Sequence, residues 1–171
     1  MKITLFTSNQ PRHIYLINAL SKIVDELFVV QETSTIFPGL IMAHYPASDE
    51  MQNYFKKVKI AQDKIFGNQY IKISNQNLNL ITLQGGDLNK RKLIHLDHFL
   101  KSDLYIIFGS SYIQGDLADF LIRNKAINIH MGVSPYYRGT DCNFWALHDG
   151  NYHLVGATIH HLSKGLDSGP I

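Results

Sequence analysis

Residues 126–139 read AINIHMGVSPYYRG, and this stretch decides how the rest of the chain is interpreted. Its apolar start predicts a buried strand that ends in Asn128 and His130, followed by a loop containing glycines and a proline. Side chains alternate between the faces of a strand, so Asn128 and His130 share one face, about 6–7 Å apart. An amide and an imidazole placed in this way can aim two donors at one oxygen, as stabilising an oxyanion requires.

Outward from this stretch, apolar runs alternate with segments of helical periodicity. The alternation predicts an α/β domain with an open, largely parallel sheet, in which ligands bind outside the carboxyl ends of the strands. Within the helix over 48–66 the spacing predicts that Met51, Tyr54, Phe55, Val58 and Ile65 face inward. Residues 33–47 fit no element. The predicted strands are 2–7, 26–31, 77–84, 103–109, 126–130 and 154–162, and the predicted helices are 11–23, 48–66, 89–102, 116–125 and 141–149.

A second loop, SKGLDSGP at 163–170, supplies a carboxylate. Asp167 lies there between two glycines, and it meets the first site if the strands before the two loops are neighbours. A carboxylate in that place favours a protonated His130 and can take up a proton through water. Asn128, His130 and Asp167 then form an acyl-transfer site without a serine or cysteine nucleophile. The alternative is that Asn128 and His130 are satisfied core polar groups.

Composition restricts the remaining classes. The 171 residues carry a net charge of +2 and no clustered basic face, which argues against a nucleic-acid partner. No apolar run is long enough for a membrane span. A single cysteine, Cys142, favours the cytoplasm and is expected to serve packing. His160 and His161 face opposite layers as strand neighbours, so we predict no shared metal ion.

The NIH and SPYYRG segments, together with GLDSG, resemble the 10-formyltetrahydrofolate-dependent formyltransferases over about 103–171, and more loosely elsewhere. The resemblance implies a Rossmann-like domain with helices on both faces, and the catalytic residues Asn128, His130 and Asp167. It also implies 10-formyltetrahydrofolate as formyl donor, with no metal. The stretch FGSSYIQGDL at 108–117 resembles the folate loop of the family. Its backbone would cradle the pterin at Gly109, Ser110, Ser111, Tyr112 and Ile113.

Two departures from the family pattern stand out. The loop reads HMGVSP where the family commonly has HPSLLP. The chain also ends at Ile171, shortly after Asp167, where the family continues. Residues 1–171 are therefore expected to be a formyltransferase catalytic domain that is partial at its carboxyl end.

Three amines are compared as acceptors. Methionyl-tRNA calls for a basic surface or an RNA-binding domain. Glycinamide ribonucleotide calls for a glycine-rich first loop, whereas this loop reads TSNQPRH. The chain looks most like the sugar N-formyltransferases of O-antigen (lipopolysaccharide) biosynthesis, which act on nucleotide-linked 4-amino-4,6-dideoxyhexoses such as dTDP-4-amino-4,6-dideoxyglucose. Its predicted substrate contacts are Tyr136, Tyr137, Arg138, Gly139 and Trp145. A non-catalytic folate- or nucleotide-binding module and a homodimer stay open as alternatives.

Overall fold

The computed structural model describes residues 1–33, 48–67, 69–72 and 76–171. Of the segment 33–47, which fits no element in the sequence, all but Thr33 lies outside the described residues. Strands and helices alternate, as predicted. The strands are β1 (Lys2–Ser8), β2 (Glu26–Thr33), β3 (Leu78–Gln84), β4 (Leu104–Phe108), β5 (Ile127–His130) and β6 (Thr158–His161). The α-helices are α1 (Pro11–Leu20), α2 (Asp49–Phe66), α3 (Gly115–Arg123) and α4 (Cys142–His148), and 3₁₀ helices span Leu88–Lys90, Leu93–Leu100 and Tyr152–Leu154.

The described strands form one sheet in the order β3-β2-β1-β4-β5-β6. Strands β1 to β5 run parallel, and β6 runs antiparallel to β5. The chain winds from β1 to β2 and β3 on one side and later to β4 and β5 on the other. A reversal of this kind opens a crevice at the carboxyl edge of the sheet. The predicted α/β fold with a largely parallel sheet is confirmed.

Each face of the sheet is covered by its own apolar cluster. Leu5 and Phe6 are neighbours in β1, both fully buried, and they belong to different clusters because successive side chains point to opposite faces. Leu5 joins the cluster that includes Ile14 and Ile17 of α1. Phe6 joins the cluster that includes Leu121 of α3. Burial on both faces explains why these strands read as continuous apolar runs.

Helix α2 begins where its capping residue predicts. The Ser48 side chain accepts a hydrogen bond from the backbone N–H of Met51 at 3.3 Å, and Met51 is buried. The prediction that Phe55 and Ile65 face the core is wrong, since they are 37% and 70% exposed. Helical periodicity marks an apolar stripe but does not say how much of it the neighbouring elements cover. None of the described helices has the length and apolar character that crossing a bilayer requires.

Two other sequence-based boundaries need correction. The helix predicted over 89–102 consists of 3₁₀ turns, and the inward-facing Leu93, Leu96 and Phe99 recur every three residues, the period of that helix. The strand predicted over 154–162 is shorter, with β6 starting only at Thr158. Before β6, the N–H of Gly156 donates to the side chain of Asn143 in α4 at 2.8 Å. This part of the chain is therefore attached to that helix.

The packing makes a stability prediction for Leu121, which is fully buried. Leu121→Ala should lower the free energy of unfolding by about 2–5 kcal/mol, because it removes buried methyl groups and leaves a cavity. Urea denaturation followed by circular dichroism measures the change. The control is Ile94→Ala at a position that is 72% exposed, where the change should stay within about 0.5 kcal/mol. Equal losses in both variants would contradict this placement of the core.

Candidate active site

Asn128 and His130 lie on β5 at the carboxyl edge of the sheet. Ile127 and Ile129 alternate with them and pack against the apolar cluster that contains α1 residues. The alternation of faces expected from the sequence is therefore present. The His130 side chain is only 5% exposed, so its ring nitrogens are directed at protein groups rather than at bulk water.

The Asp167 carboxylate is the centre of the site. Its Oδ1 accepts from Asn128 Nδ2 at 2.8 Å, its Oδ2 accepts from the backbone N–H of Gly139 at 2.9 Å, and Oδ2 also lies 3.3 Å from His130 Nδ1. Asp167 has a φ of 43°, a left-handed conformation that Asp tolerates better than most residues. Its carbonyl accepts from Ser134 Oγ at 3.1 Å. The structure thus brings together the three residues that the sequence singled out.

The second nitrogen of His130 also faces an oxygen. Nε2 lies 3.0 Å from the carbonyl oxygen of Tyr137 and 3.6 Å from Cys142 Sγ. With Nδ1 against the Asp167 carboxylate, the ring is flanked by an oxygen acceptor on each side. A ring that carries N–H on both nitrogens donates to both of them. Each ring nitrogen of His130 therefore has a protein oxygen within reach.

His160 is a site residue whose position the sequence left open. In the antiparallel pairing of β5 with β6, His160 lies opposite Asn128. Its Nε2 is 3.4 Å from Asn128 Nδ2 and 3.9 Å from Asp167 Oδ1, while its Nδ1 lies 2.8 Å from the carbonyl oxygen of His161. A donating Nδ1–H leaves Nε2 as an acceptor for the amide of Asn128. Alternation of side chains along β6 indicates which face His160 occupies. Its pairing with Asn128 follows only once the direction of β6 is known.

The loop after β5 passes directly against the imidazole. A Cβ on Gly132 would lie 2.5 Å from His130 Nε2 and 2.7 Å from Cys142 Cβ, so no side chain fits there without displacing them. Thr158 of β6 fixes the loop, because its hydroxyl donates to the Gly132 carbonyl at 2.8 Å and accepts from the Ser134 N–H at 3.0 Å. This loop differs from the common family sequence, and it is nonetheless held firmly to the site.

Cys142 is buried beside His130, in agreement with the packing role expected for it. Burial raises the pKa of its thiol to about 11, and the Asp167 carboxylate adds to the effect. The thiolate is the reactive form. At this position the cysteine is therefore a protonated packing group.

We predict that Cys142 resists alkylation in the folded chain. Near pH 8 its reaction with iodoacetamide should be slower by about 100-fold or more than in denaturant, because both burial and the thiolate fraction oppose it. Mass spectrometry of timed samples gives the two rates. Equal rates in folded and denatured protein would contradict this environment.

The loop that resembles the folate loop follows β4. Gly109 has a φ of 76°, and a Cβ there would meet the ring of His13 at 2.3 Å, so this position requires glycine for two reasons. Ile113 is buried, whereas Tyr112 is half exposed. The Tyr112 hydroxyl donates to the carbonyl of Lys164 at 2.9 Å. The loop therefore leans on α1 on one side and touches the Asp167 loop on the other.

The fully buried His13 predicts a pH dependence. Desolvation lowers the pKa of His13 well below 6.5, and the charge of Arg12 lowers it further. Below pH 6.5 this imidazole is protonated in the unfolded chain but stays neutral in the folded chain. The free energy of unfolding therefore decreases as the pH is lowered, by up to about 1.4 kcal/mol per pH unit from this residue. Chemical denaturation at pH 6.5 and about 5 should show a shallower loss in His13→Gln than in the wild type.

Replacing an exposed histidine provides the comparison for that experiment. His153 is exposed in the 3₁₀ helix before β6, and His153→Gln should keep the wild-type dependence on pH. An unchanged slope in His13→Gln would show that this imidazole does not resist protonation in the folded state.

Three of the predicted substrate residues face solvent near the site. Tyr136 is 70% exposed and Arg138 is also exposed. Trp145 is 40% exposed and packs its ring against Phe144 and His148 at centroid distances of 5.1 and 5.4 Å. All three side chains are therefore accessible to a ligand.

The other two predicted substrate residues make contacts inside the protein. The Tyr137 hydroxyl donates to Asp149 Oδ2 at 3.0 Å and accepts from Asn151 Nδ2 at 2.8 Å. The Gly139 N–H is directed at the Asp167 carboxylate. In the described structure both residues help to hold the loop in place, and their contact with substrate stays a prediction.

Fold and site together define an α/β domain with a histidine, asparagine and aspartate cluster at the carboxyl edge of its sheet. The family model described as formyl transferase matches residues 56–171. The chain belongs to this family, as the resemblance of its motifs predicted.

Relatives of known activity agree with this assignment. The chain is 29% identical over 101 residues to a methionyl-tRNA formyltransferase of Thermotoga neapolitana, an alignment that covers 59% of this chain and 32% of that protein. A methionyl-tRNA formyltransferase of Thermotoga maritima is 30% identical over 89 residues, covering 52% of this chain and 28% of that protein. The aligned segments thus span about a third of the curated relatives.

Solved structures show the same fold at low sequence identity. Phosphoribosylglycinamide formyltransferase from Anaplasma phagocytophilum superposes with a TM-score of 0.58 at 18% identity, covering 99% of this chain and 68% of that one. A 4-N formyltransferase from Francisella tularensis gives a TM-score of 0.52 at 20% identity, covering 97% and 52%. These similarities confirm the formyltransferase fold predicted for the domain.

Proposed function

We propose that the chain transfers a formyl group from 10-formyltetrahydrofolate to the amine of a nucleotide-linked amino sugar, such as dTDP-4-amino-4,6-dideoxyglucose. The observation that carries the proposal is the joining of Asn128 and His130 through the Asp167 carboxylate, at distances of 2.8 and 3.3 Å. This cluster lies at the edge of the sheet where α/β domains bind their ligands.

The reaction forms a bond between the amine nitrogen and the formyl carbon and breaks the bond from that carbon to N10 of the folate. The amine loses one proton and N10 gains one, so charges and atoms balance. Negative charge develops on the formyl oxygen as the amine attacks. The protein must therefore stabilise an oxyanion and accept a proton.

Asn128 and His130 are suited to stabilise the negative charge that develops on the formyl oxygen. An imidazolium at His130 supplies a positive charge in a site that is shielded from water, and the Asn128 amide supplies N–H donors. One N–H of Asn128 is held by Asp167, and the other has only the longer 3.4 Å contact with His160. That weaker contact can be exchanged for the formyl oxygen. Removing one such donor from an oxyanion site typically slows catalysis by about 10²–10³-fold.

Asp167 is placed to accept the proton that the amine releases. Its carboxylate fixes the amide and the imidazole, and the side chain is 11% exposed, so one edge is accessible to water. A proton released by the amine can reach this carboxylate through that water.

The folate would be held by the loop from Gly109 to Ile113. This loop follows β4, the strand next to β5 in the sheet. Gly109 itself is exposed, and because a Cβ there would collide with His13, its backbone carries no side chain at this point of the loop. A flat heteroaromatic ring with donors and acceptors on its edge is the chemistry that such a backbone recognises. When bound, the donor supplies the activated formyl group.

The start of α1 disfavours a phosphate at that helix. The N–H of Gln10 is directed at His13 Nδ1, the N–H of His13 donates to the Gln10 carbonyl at 2.9 Å, and Pro11 has no N–H. Few amides therefore remain for the phosphate of glycinamide ribonucleotide. An exposed Arg138 flanked by Tyr136 suits the diphosphate and hexose of a sugar nucleotide.

Methionyl-tRNA is the second candidate acceptor, and the curated relatives favour it. The net charge of +2 argues against it, since tRNA binding rests on many phosphate contacts.

The lone cysteine is consistent with a reaction in the reducing cytoplasm.

The proposal is tested by release of tetrahydrofolate from 10-formyltetrahydrofolate in the presence of single amines. Nucleotide-linked 4-amino sugars, glycinamide ribonucleotide and methionyl-tRNA form the panel, and release is expected with the sugars. His130→Asn should lower kcat by about 10²–10³-fold, because the charge at the formyl oxygen is lost.

A neighbouring histidine gives the control for that variant. His161 is exposed and lies on the opposite face of β6 from His160, so His161→Asn should keep the wild-type kcat. Release with methionyl-tRNA alone would replace the sugar by the second candidate. No release with any amine would favour a binding module, and full activity in His130→Asn would refute the site.

A further inference from the structure

Glu32, the penultimate residue of β2, is a buried carboxylate with an unusual set of partners. Glu32 is only 4% exposed. Oε1 accepts from the N–H of Gly86 at 2.9 Å, from the N–H of Leu88 at 3.3 Å and from Ser111 Oγ at 3.1 Å. Oε2 accepts from the N–H of Ser111 at 2.7 Å. One carboxylate thus joins two separate loops.

A glutamate is a costly choice for this position in the sheet. The residues before it in β2, such as Val29 and Val30, are fully buried and apolar. Removing a carboxylate from water is unfavourable unless its oxygens are hydrogen-bonded, and hydrogen bonds to an ionised acceptor are the strong ones. The described contacts satisfy both oxygens. The strand itself would form equally well with a β-branched residue here, so the glutamate serves the loops.

The loop that receives these bonds is the one assigned to the formyl donor. Ser111 is held by Glu32 at both its N–H and its hydroxyl. Asn89 holds the next part, since its Nδ2 donates to the Tyr112 carbonyl at 2.7 Å and its Oδ1 accepts from the Gln114 N–H at 2.9 Å. Two side chains from other elements therefore set the backbone conformation of the donor loop.

We propose that Glu32 is a positioning residue for the formyl donor, which shapes the loop from Gly109 to Ile113 without touching the folate. The inference rests on the proposed function, because it takes this loop as the folate site. A loop already held in its binding conformation loses less entropy when the ligand arrives. Loss of the Glu32 contacts should therefore weaken donor binding and leave acceptor binding unchanged.

Glu32→Gln is the sharpest change. Glutamine has a single acceptor oxygen, so its amide NH₂ must face either the Ser111 N–H or the three donors that meet Oε1. Either arrangement breaks charge-assisted bonds at nearly constant volume. The control is Glu26→Gln on the same strand, because Glu26 lies at the opposite end of β2 and pairs with Lys2 near the surface.

The experiment titrates tetrahydrofolate onto the full chain by calorimetry. Glu32→Gln should raise the dissociation constant about ten- to a hundredfold, and Glu26→Gln should leave it at the wild-type value. In turnover, the KM for 10-formyltetrahydrofolate should rise in Glu32→Gln while the KM for the amine stays constant. A purely structural role would not separate the two KM values.

A second variant keeps the test decisive if Glu32→Gln folds poorly. Ser111→Ala removes one of the bonds and retains the backbone N–H, and it should weaken tetrahydrofolate binding several-fold. Wild-type affinity in both Glu32→Gln and Ser111→Ala would overturn the inference. A wild-type chain that does not bind tetrahydrofolate would overturn both the donor site and the role of Glu32. Normal binding, with the expected loss in Glu32→Gln but no transfer to any amine, would reject the proposed function alone.

Discussion

The site depends on one carboxylate at the junction of two chain segments. Asp167 accepts from Asn128 of β5 and from Gly139 of the following loop, and it faces His130. These contacts tie the loop after β6 to β5 and give the amide and the imidazole a common partner. Because two carboxylate oxygens can satisfy several donors at once, a single side chain sets the relative positions of the whole cluster.

The sheet topology explains how the parts meet. The order in which β4 lies between β1 and β5 sets the loop from Gly109 to Ile113 beside β5, and the reversed direction of β6 returns the chain so that His160 faces Asn128. A second carboxylate, Glu32, holds the loop from Gly109 to Ile113 through Ser111, much as Asp167 holds Asn128 and His130 together. Both are nearly buried, and both join loops that are distant in sequence. At this edge of the sheet, two carboxylates thus fix the loops by accepting hydrogen bonds from backbone and side-chain donors.

Much of this could be predicted from the sequence, and the exceptions have physical causes. Short-range periodicity located the strands. Asn128 and His130 were recognisable because polar residues at the end of a buried strand are unusual, and Asp167 because it lies between two glycines in a loop. Strand direction is not encoded locally, so the pairing of His160 with Asn128 was not predictable. The exposure of Ile65 depends on what covers α2, which periodicity cannot tell. Glu32 has no local signal, since its partners come from loops over fifty residues away.

The central claim is that Asn128 and Asp167 act as one unit, and a double-mutant cycle tests it most directly. Single-turnover formyl transfer is measured for Asn128→Ala, Asp167→Ala and the double variant. Residues that act as a unit are non-additive, so the double variant should lose no more than a few-fold beyond the more damaging single change. Losses that multiply in the double variant would show that the two side chains act independently and would contradict the account.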